Sequence, residues 1–168
     1  RQKTKKIFSK EVAYILKKLL TQPVKGANGT APYCEIKGMD VAAKTGTTNY
    51  DSETVSKYGL PSDAIRDSWV VGYSTKTVIG MWYGYDYIDK VYCLRNIPAT
   101  IQKDNIFKSL IASGAMESNR ADFKQPSSVV RVGVAKDSNP AKLAGPGTTE
   151  IVYEYFKKGH EPSEYDTS

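Results

Sequence analysis

The fold is decided by two neighbouring apolar runs, Ser68-Trp69-Val70-Val71-Gly72-Tyr73 and Thr77-Val78-Ile79-Gly80-Met81-Trp82-Tyr83-Gly84-Tyr85, separated only by Ser74-Thr75-Lys76. Val, Ile, Trp and Tyr favour extended backbone, and a short polar segment between two such runs is typical of a hairpin turn. We therefore predict an antiparallel hairpin. Because both runs are almost continuously apolar, we predict central strands covered on both faces, with the aromatic side chains in the core.

Helical patterns lie on both sides of this hairpin. Ser9 can cap a helix over about 10–21, whose apolar positions recur at helical spacing and end before Pro23. A second apolar stripe predicts a helix over about 99–117, and alternating residues over 129–135 predict a short strand. The fold class that follows is α/β, an antiparallel sheet flanked by helices.

The remaining segments set the organisation of the chain. Residues 48–66 are polar and show no sustained period, so we predict a long surface loop there. Neither a repeat nor a low-complexity block interrupts the chain. We expect residues 1–120 to form the main unit and residues 121–168 to form a trailing segment that is partly packed on it.

Composition excludes several classes of function. The net charge of +6 comes from Lys and Arg scattered along all 168 residues, and the one dense basic cluster, Arg1–Lys6, is not accompanied by a nucleic-acid recognition motif. We expect no nucleic-acid partner. Cys34 and Cys93 lie far apart and His160 is the single histidine, so a structural zinc site cannot be assembled, and we expect neither a metal nor a cofactor.

The candidate site is Lys44-Thr45-Gly46-Thr47, which follows the apolar run Val41-Ala42-Ala43. A Lys-Thr-Gly match alone arises by chance in roughly one chain in twenty of this length. On a strand, however, Lys44 and Gly46 point to one face and the threonines to the other. A lysine attracts an anion, threonine hydroxyls bind a carboxylate, and a glycine lets a ligand backbone approach closely.

With its flanks, this segment resembles the third active-site motif of the penicillin-binding proteins, specifically the C-terminal part of the transpeptidase domain of the class A, high-molecular-mass members. The similarity covers nearly the whole chain and rests on five further segments. These are Gly29-Thr30-Ala31, residues 67–73, residues 80–86, residues 123–134 and residues 155–162. The loop over 48–66 is longer than in many members.

The resemblance implies a serine acyltransferase that cross-links peptidoglycan stem peptides and is acylated by β-lactams. It implies that Lys44 tunes a proton relay, that Thr45, Gly46 and Thr47 bind the substrate, and that the Thr47 N–H is one donor of an oxyanion hole. It also implies a protein on the extracytoplasmic face of the bacterial membrane, anchored by an upstream helix.

Two motifs of that family, S-x-x-K with the nucleophile and S-x-N with a relay serine, do not occur in the sequence. Both precede Lys-Thr-Gly in the family. We therefore expect an upstream half of the same domain to carry the nucleophile, and we expect this chain to be inactive alone. If so, its structure should contain a second chain, or leave a sheet face open, where the upstream half belongs.

Two alternatives remain open. A β-lactamase or β-lactam-sensor domain also carries Lys-Thr-Gly, although such domains usually end at the helix that follows the hairpin. A non-catalytic module could use the same strand only to dock cell-wall peptides.

Overall fold

The computed structural model describes residues 5–116 and 120–167, and the chain folds into two compact units. One unit is Lys18–Phe123, and the other joins the residues up to Lys17 to the residues from Lys124 onward. Each unit has its own sheet. The candidate site lies entirely in the unit Lys18–Phe123.

Helix α1, Lys10–Lys25, begins as predicted but ends later. The Ser9 hydroxyl caps it by accepting from the Val12 N–H at 3.3 Å. The prediction of an end before Pro23 was wrong. A proline removes only one backbone donor from a helix, and side chains of the last turn have partners outside the helix. Lys18 and Lys25 each form an ion pair of 3.0 Å with the nearly buried Asp40 carboxylate, which holds that last turn in place.

The main sheet is antiparallel, which confirms the predicted α/β class and the predicted hairpin. Strands β1 (Ala42–Asn49), β2 (Ala64–Tyr73) and β3 (Val78–Gly84) pair in the order β1-β2-β3. The two-residue strand β4, Leu94–Arg95, pairs with the start of β2. The first strand therefore has an outer edge that no other strand of the described residues pairs with.

The segment predicted as a long loop contains a short helix, α2, Ser52–Tyr58. The Asp51 carboxylate caps its start by accepting from the Thr54 N–H at 2.8 Å. Gly59 ends it in the left-handed conformation, with φ of 60°, which glycine adopts without strain. Asp51 and Gly59 are typical residues for the start and the end of a helix, but the sequence between them has no apolar stripe that would predict one.

Helix α3, Asn96–Met116, covers one face of the main sheet. It was predicted over about 99–117, and residue 117 lies outside the described residues. Phe107 and Ile111 of α3 are fully buried against Val70 of β2. The helix approaches so closely that a Cβ on Gly72 would lie 2.7 Å from Cζ of Phe107 and 2.5 Å from the Ala42 carbonyl oxygen, so a glycine is required there.

The prediction that the hairpin strands are covered on both faces was wrong for the described chain. Trp69, Val71, Val78 and Trp82 are 46%, 52%, 76% and 41% exposed, respectively. They share the face opposite α3, which we call the open face and which comprises these four residues. An almost continuous apolar run does not indicate which element covers each face of a sheet, and α3 lies on the other face of this one.

The other unit contains a two-stranded antiparallel sheet, β5 (Val129–Ala135) with β6 (Ile151–Lys157). The strand predicted over 129–135 is confirmed. The first residues of α1 pack here, where Tyr14 meets Tyr155 edge to face at 5.5 Å between ring centroids. No helix of the described residues is long and apolar enough to cross a membrane.

Candidate functional site

The pairing of β1 with β2 decides where each residue of Lys44-Thr45-Gly46-Thr47 points. Lys44 lies opposite Val71 and Gly46 lies opposite Trp69, so both point to the same side of the sheet as the open face. Thr45 lies opposite Val70 and therefore points to the side of α3. Lys44, Gly46 and Thr47 are exposed and Thr45 is half-buried, so the strand presents three of the four residues to solvent.

The Lys44 ammonium group turns back onto its own strand, where it donates to the Thr45 carbonyl oxygen at 2.7 Å. A lysine has three protons to donate, so this bond leaves two for a ligand. Alternate residues of a strand direct their backbone groups to the same edge. The Thr47 N–H therefore shares an edge with the Thr45 carbonyl and with the Lys44 ammonium group.

Unlike Gly72, Gly46 has no neighbouring atoms so close that they would exclude a larger residue. An added Cβ at Gly46 would find Cβ of Trp69 at 3.5 Å as its nearest neighbour, which is an ordinary contact. The chain itself does not require a glycine at this point of the strand. Gly46 instead leaves open space on its own side of the strand, which is exposed.

A threonine from a neighbouring turn reaches the strand from the α1 side. The Thr45 hydroxyl donates to the Thr30 hydroxyl oxygen at 3.0 Å. The backbone of that turn is held by the Ala31 N–H, which donates to the Pro23 carbonyl at 2.8 Å, and Ala31 is fully buried. The sequence resemblance included this Gly-Thr turn but assigned no role to Thr30, since only the folded chain brings residues 30 and 45 together.

Lys44 and Thr30 open onto a common cavity of about 620 Å³. Its lining combines apolar residues from the end of α1 with polar residues of the following turn and Lys44 of β1. The lining residues are Leu19, Leu20, Gln22, Pro23, Gly26, Ala27, Asn28, Gly29, Thr30 and Lys44. A ligand here would meet a cation, a hydroxyl and apolar side chains.

A buried lysine supports the sheet beneath the site. Lys103 of α3 is fully buried, and its ammonium group donates to the Trp69 carbonyl at 3.0 Å. Its neighbour Asp104 is also fully buried, 3.5 Å from the same ammonium group, and burial raises the pKa of this carboxyl. Burial together with the Asp104 charge raises the pKa of the Cys34 thiol to about 12.

The open face beside Gly46 carries both tryptophans of the chain. The rings of Trp69 and Trp82 lie 6.5 Å apart between centroids, and the Trp82 N–H donates to the Asp67 carboxylate at 2.9 Å. These aromatic residues were interpreted as core from the sequence, and within the described chain that interpretation was wrong. They form an exposed apolar surface next to the candidate site.

Strand β1 contributes a lysine, a glycine and threonine hydroxyls, but no serine. Ser68 lies opposite Thr47 in the register, yet it is fully buried on the α3 side and its hydroxyl has no partner among the described residues. A side chain in that position cannot attack a ligand at the exposed edge. The described residues also contain no group of three His, Cys, Asp or Glu side chains that could hold a metal.

Two families match the sequence in succession. Residues 1–90 match the family described as "Penicillin binding protein transpeptidase domain". Residues 125–168 match the one described as "Penicillin-binding protein 1A, C-terminal domain". The second match starts one residue after Lys124, where the chain returns to the smaller compact unit.

Curated relatives carry corresponding names. The chain is similar to "Penicillin-binding protein 1A/1B" of Bacillus subtilis, with 38% identity over 96% of the chain, and to "Penicillin-binding protein 1F" of the same organism, with 33% identity over 62%. It is also similar to "Penicillin-binding protein 1A" of Clostridium perfringens, with 26% identity over 95%. The chain spans only 17%, 13% and 17% of these relatives' lengths, respectively.

Proposed function

Because the chain belongs to the family of penicillin-binding protein transpeptidase domains, we propose that it supplies the Lys-Thr-Gly wall of a peptidoglycan D,D-transpeptidase site. In this proposal the nucleophilic serine is carried by an upstream segment of the same domain. The observation that carries the proposal is the position of Lys44 and Gly46, exposed on β1 and in register with the uncovered tryptophan face.

The open face is the surface on which the upstream segment would dock. Exposed apolar groups in one contiguous patch mark a surface that is covered in the assembled state. A segment packed there would lie beside Lys44 and Gly46, which point to the same side of the sheet. The proposal therefore predicts an assembled site from two parts, neither of which is active alone.

In the assembled site, the upstream serine hydroxyl attacks the carbonyl carbon of the penultimate D-alanine while its proton passes to the upstream lysine. The Thr47 N–H and the serine N–H hold the oxyanion. The peptide C–N bond then breaks, and D-alanine leaves with the proton on its amine. An amine of a neighbouring stem attacks the acyl-serine ester, so that a new peptide bond forms, the ester C–O bond breaks and the proton of the amine returns to the serine oxygen. β-Lactams acylate the same serine, and their opened ring stays attached.

The residues of this chain bind and orient the acyl donor. Lys44 would attract its terminal carboxylate and, with the relay serine of the upstream segment, tune the proton transfer. The hydroxyls of Thr45 and Thr47 would bind that carboxylate, and Gly46 would let the donor backbone lie along the strand. The assembled protein would act on the extracytoplasmic face of the bacterial membrane, held by an upstream helix.

The experiment compares Lys44→Ala with Lys90→Ala in the domain that joins this chain to its upstream segment. Lys90 is exposed in the loop after β3, outside the candidate site, so it controls for the loss of one positive charge. We expect the rate of penicillin acylation to fall by about a hundredfold or more for Lys44→Ala and to stay unchanged for Lys90→Ala. Equal rates in the two variants would reject the proposed role of Lys44.

Two other outcomes identify other functions. Rapid multiple turnover of β-lactam by the joined domain, with release of the hydrolysed drug, would indicate a β-lactamase. Retention of cell-wall binding in Lys44→Ala, without acylation in either variant, would indicate a docking module. The match of residues 125–168 to a penicillin-binding protein 1A C-terminal domain favours the transpeptidase.

A further inference from the structure

The two threonine hydroxyls at the site share one hydrogen bond, which limits what they can donate to a ligand. A hydroxyl has one proton and two acceptor positions. The Thr45 and Thr30 hydroxyls lie 3.0 Å apart, so one of their two protons is used in the bond between them, and the Thr30 hydroxyl makes no other hydrogen bond among the described residues. One proton of the pair remains for a ligand, and Thr30 is the member that is exposed and lines the cavity with Lys44, whereas Thr45 is half-buried.

The backbone around Thr30 is held in place, which suits a residue that donates a hydrogen bond to a ligand. Its turn is closed by the Gly29 N–H, which donates to the Gly26 carbonyl at 2.9 Å, and by the Ala31 N–H, which donates to the Pro23 carbonyl. Ala31 is fully buried, whereas Thr30 is exposed. The backbone is thus anchored on both sides of a side chain that faces solvent.

Charge and shape at this point indicate the class of ligand. Thr30 and Lys44 line the same cavity, whose lining also includes the apolar residues Leu19, Leu20 and Pro23. A carboxylate held between the ammonium group and the hydroxyl would receive charge-assisted hydrogen bonds. An apolar group attached to it would cover these apolar residues.

We propose that Thr30 is a specificity-determining residue of this site, whose hydroxyl donates to the carboxylate of the acyl donor while Thr45 orients it through the hydrogen bond that the two hydroxyls share. This inference rests on the proposed function, because the carboxylate belongs to the acyl donor of the transpeptidase. It moves the donor role from the strand to the turn that follows α1, and Thr45 becomes a positioning residue.

The test measures acylation of the joined domain by benzylpenicillin, which has a carboxylate, and by benzylpenicillin methyl ester, which has none. We expect Thr30→Val to lower the acylation rate with benzylpenicillin by roughly tenfold and to change the rate with the ester by less than about twofold. Thr30→Ser keeps the hydroxyl, so it should retain most of the wild-type preference for the carboxylate.

Thr75→Val serves as the matched control, since Thr75 is exposed in the hairpin turn and lies outside the site. A loss of equal size with both compounds, or no loss with either, would overturn the role of Thr30 while leaving the transpeptidase intact. A wild-type domain that neither compound acylates would reject the proposed function, and the role of Thr30 with it.

Discussion

The Lys103 ammonium group lies 3.0 Å from the Trp69 carbonyl oxygen, and Trp69 is the residue that pairs with Gly46 across the sheet. A fully buried cation of α3 therefore holds the backbone of β2 directly behind the glycine of the candidate site. Its charge faces Asp104, whose carboxylate oxygens have no hydrogen-bond partner among the described residues. The support of the site thus depends on a buried charged pair.

Lys103→Met should destabilise the chain strongly. The methionine keeps the apolar stem but removes the donor to Trp69 and leaves the buried Asp104 without its cation, so we expect a loss of about 3 kcal/mol in the free energy of unfolding. Urea denaturation followed by circular dichroism measures it. The double variant Lys103→Met/Asp104→Leu should recover much of the loss, because a buried pair can be replaced by apolar groups.

The pH dependence of the free energy of unfolding of Lys103→Met provides a second test. Burial is the main cause of the raised pKa of Asp104, and Lys103 opposes that rise. A carboxyl with a raised pKa in the folded state gives stability at low pH, which is lost as the pH rises through the folded pKa. The deficit of Lys103→Met relative to wild type should therefore shrink as the pH falls. A deficit that is constant with pH would contradict this assignment.

Asp40→Asn should loosen the end of α1. Burial alone would raise the pKa of Asp40, but hydrogen bonds from Lys25, Lys18 and the Phe123 N–H outweigh it and lower the pKa. The stability that Asp40 contributes is present above its unfolded pKa and is lost as the pH falls through the folded pKa. We expect Asp40→Asn to cost about 2 kcal/mol at pH 7 and progressively less in acid.

The control for Asp40→Asn is Asp63→Asn, in the same unit. Asp63 pairs with Arg95, but both side chains are about half exposed, and exposed pairs contribute under about 1 kcal/mol. Urea denaturation of both variants at several pH values makes the comparison. Equal losses in the two variants would show that Asp40 has no special role.

The sequence predicted the elements whose signals are local. The hairpin around Ser74-Thr75-Lys76 and the start of α1 at Ser9 were correct because turn and cap residues act on their neighbours. The exposure of Trp69 and Trp82 could not be predicted, since an apolar run does not identify which segment covers it. The resemblance to class A penicillin-binding proteins is confirmed, and it came from the spacing of several motifs rather than from Lys44-Thr45-Gly46 alone.

Two features could be recognised only in the folded chain and not from the sequence. The contact of Thr30 with Thr45 joins a turn to a strand across fifteen positions, and neither residue has a local signal for it. The end of α1 beyond Pro23 depends on Asp40, which meets Lys18 and Lys25 only after folding. In both cases a tertiary contact outweighs the local pattern. The roles assigned to Lys44 and to the residues of its strand stay predictions.

Gly46→Ala should separate function from folding. The added Cβ has ordinary contacts, so the free energy of unfolding should change by less than about 1 kcal/mol. The same methyl group stands where a donor backbone would approach, and acylation of the joined domain should fall at least about tenfold. Gly72→Ala is the opposite case, because its Cβ meets Phe107 and should cost about 2 kcal/mol. A stable Gly46→Ala with unchanged acylation would contradict the assignment.

The open face can be followed by fluorescence, because the two tryptophans of the chain both lie on it. Acrylamide should quench their emission readily in the isolated chain. Binding of the upstream segment should shift the emission to shorter wavelength and reduce quenching. Val71→Lys, on the same face, should weaken binding, and Tyr87→Lys, exposed in the loop after β3, should not. Emission that the segment leaves unchanged would place its docking surface elsewhere.

The central claim is that this chain forms one wall of an acylation site and lacks the serine that is acylated. Intact-mass spectrometry after incubation with fluorescent penicillin tests it directly, on the isolated chain and on the chain joined to its upstream segment. We expect no mass increase on the isolated chain and one covalent penicillin on the joined domain, attached outside these 168 residues. A covalent penicillin on the isolated chain would contradict the account.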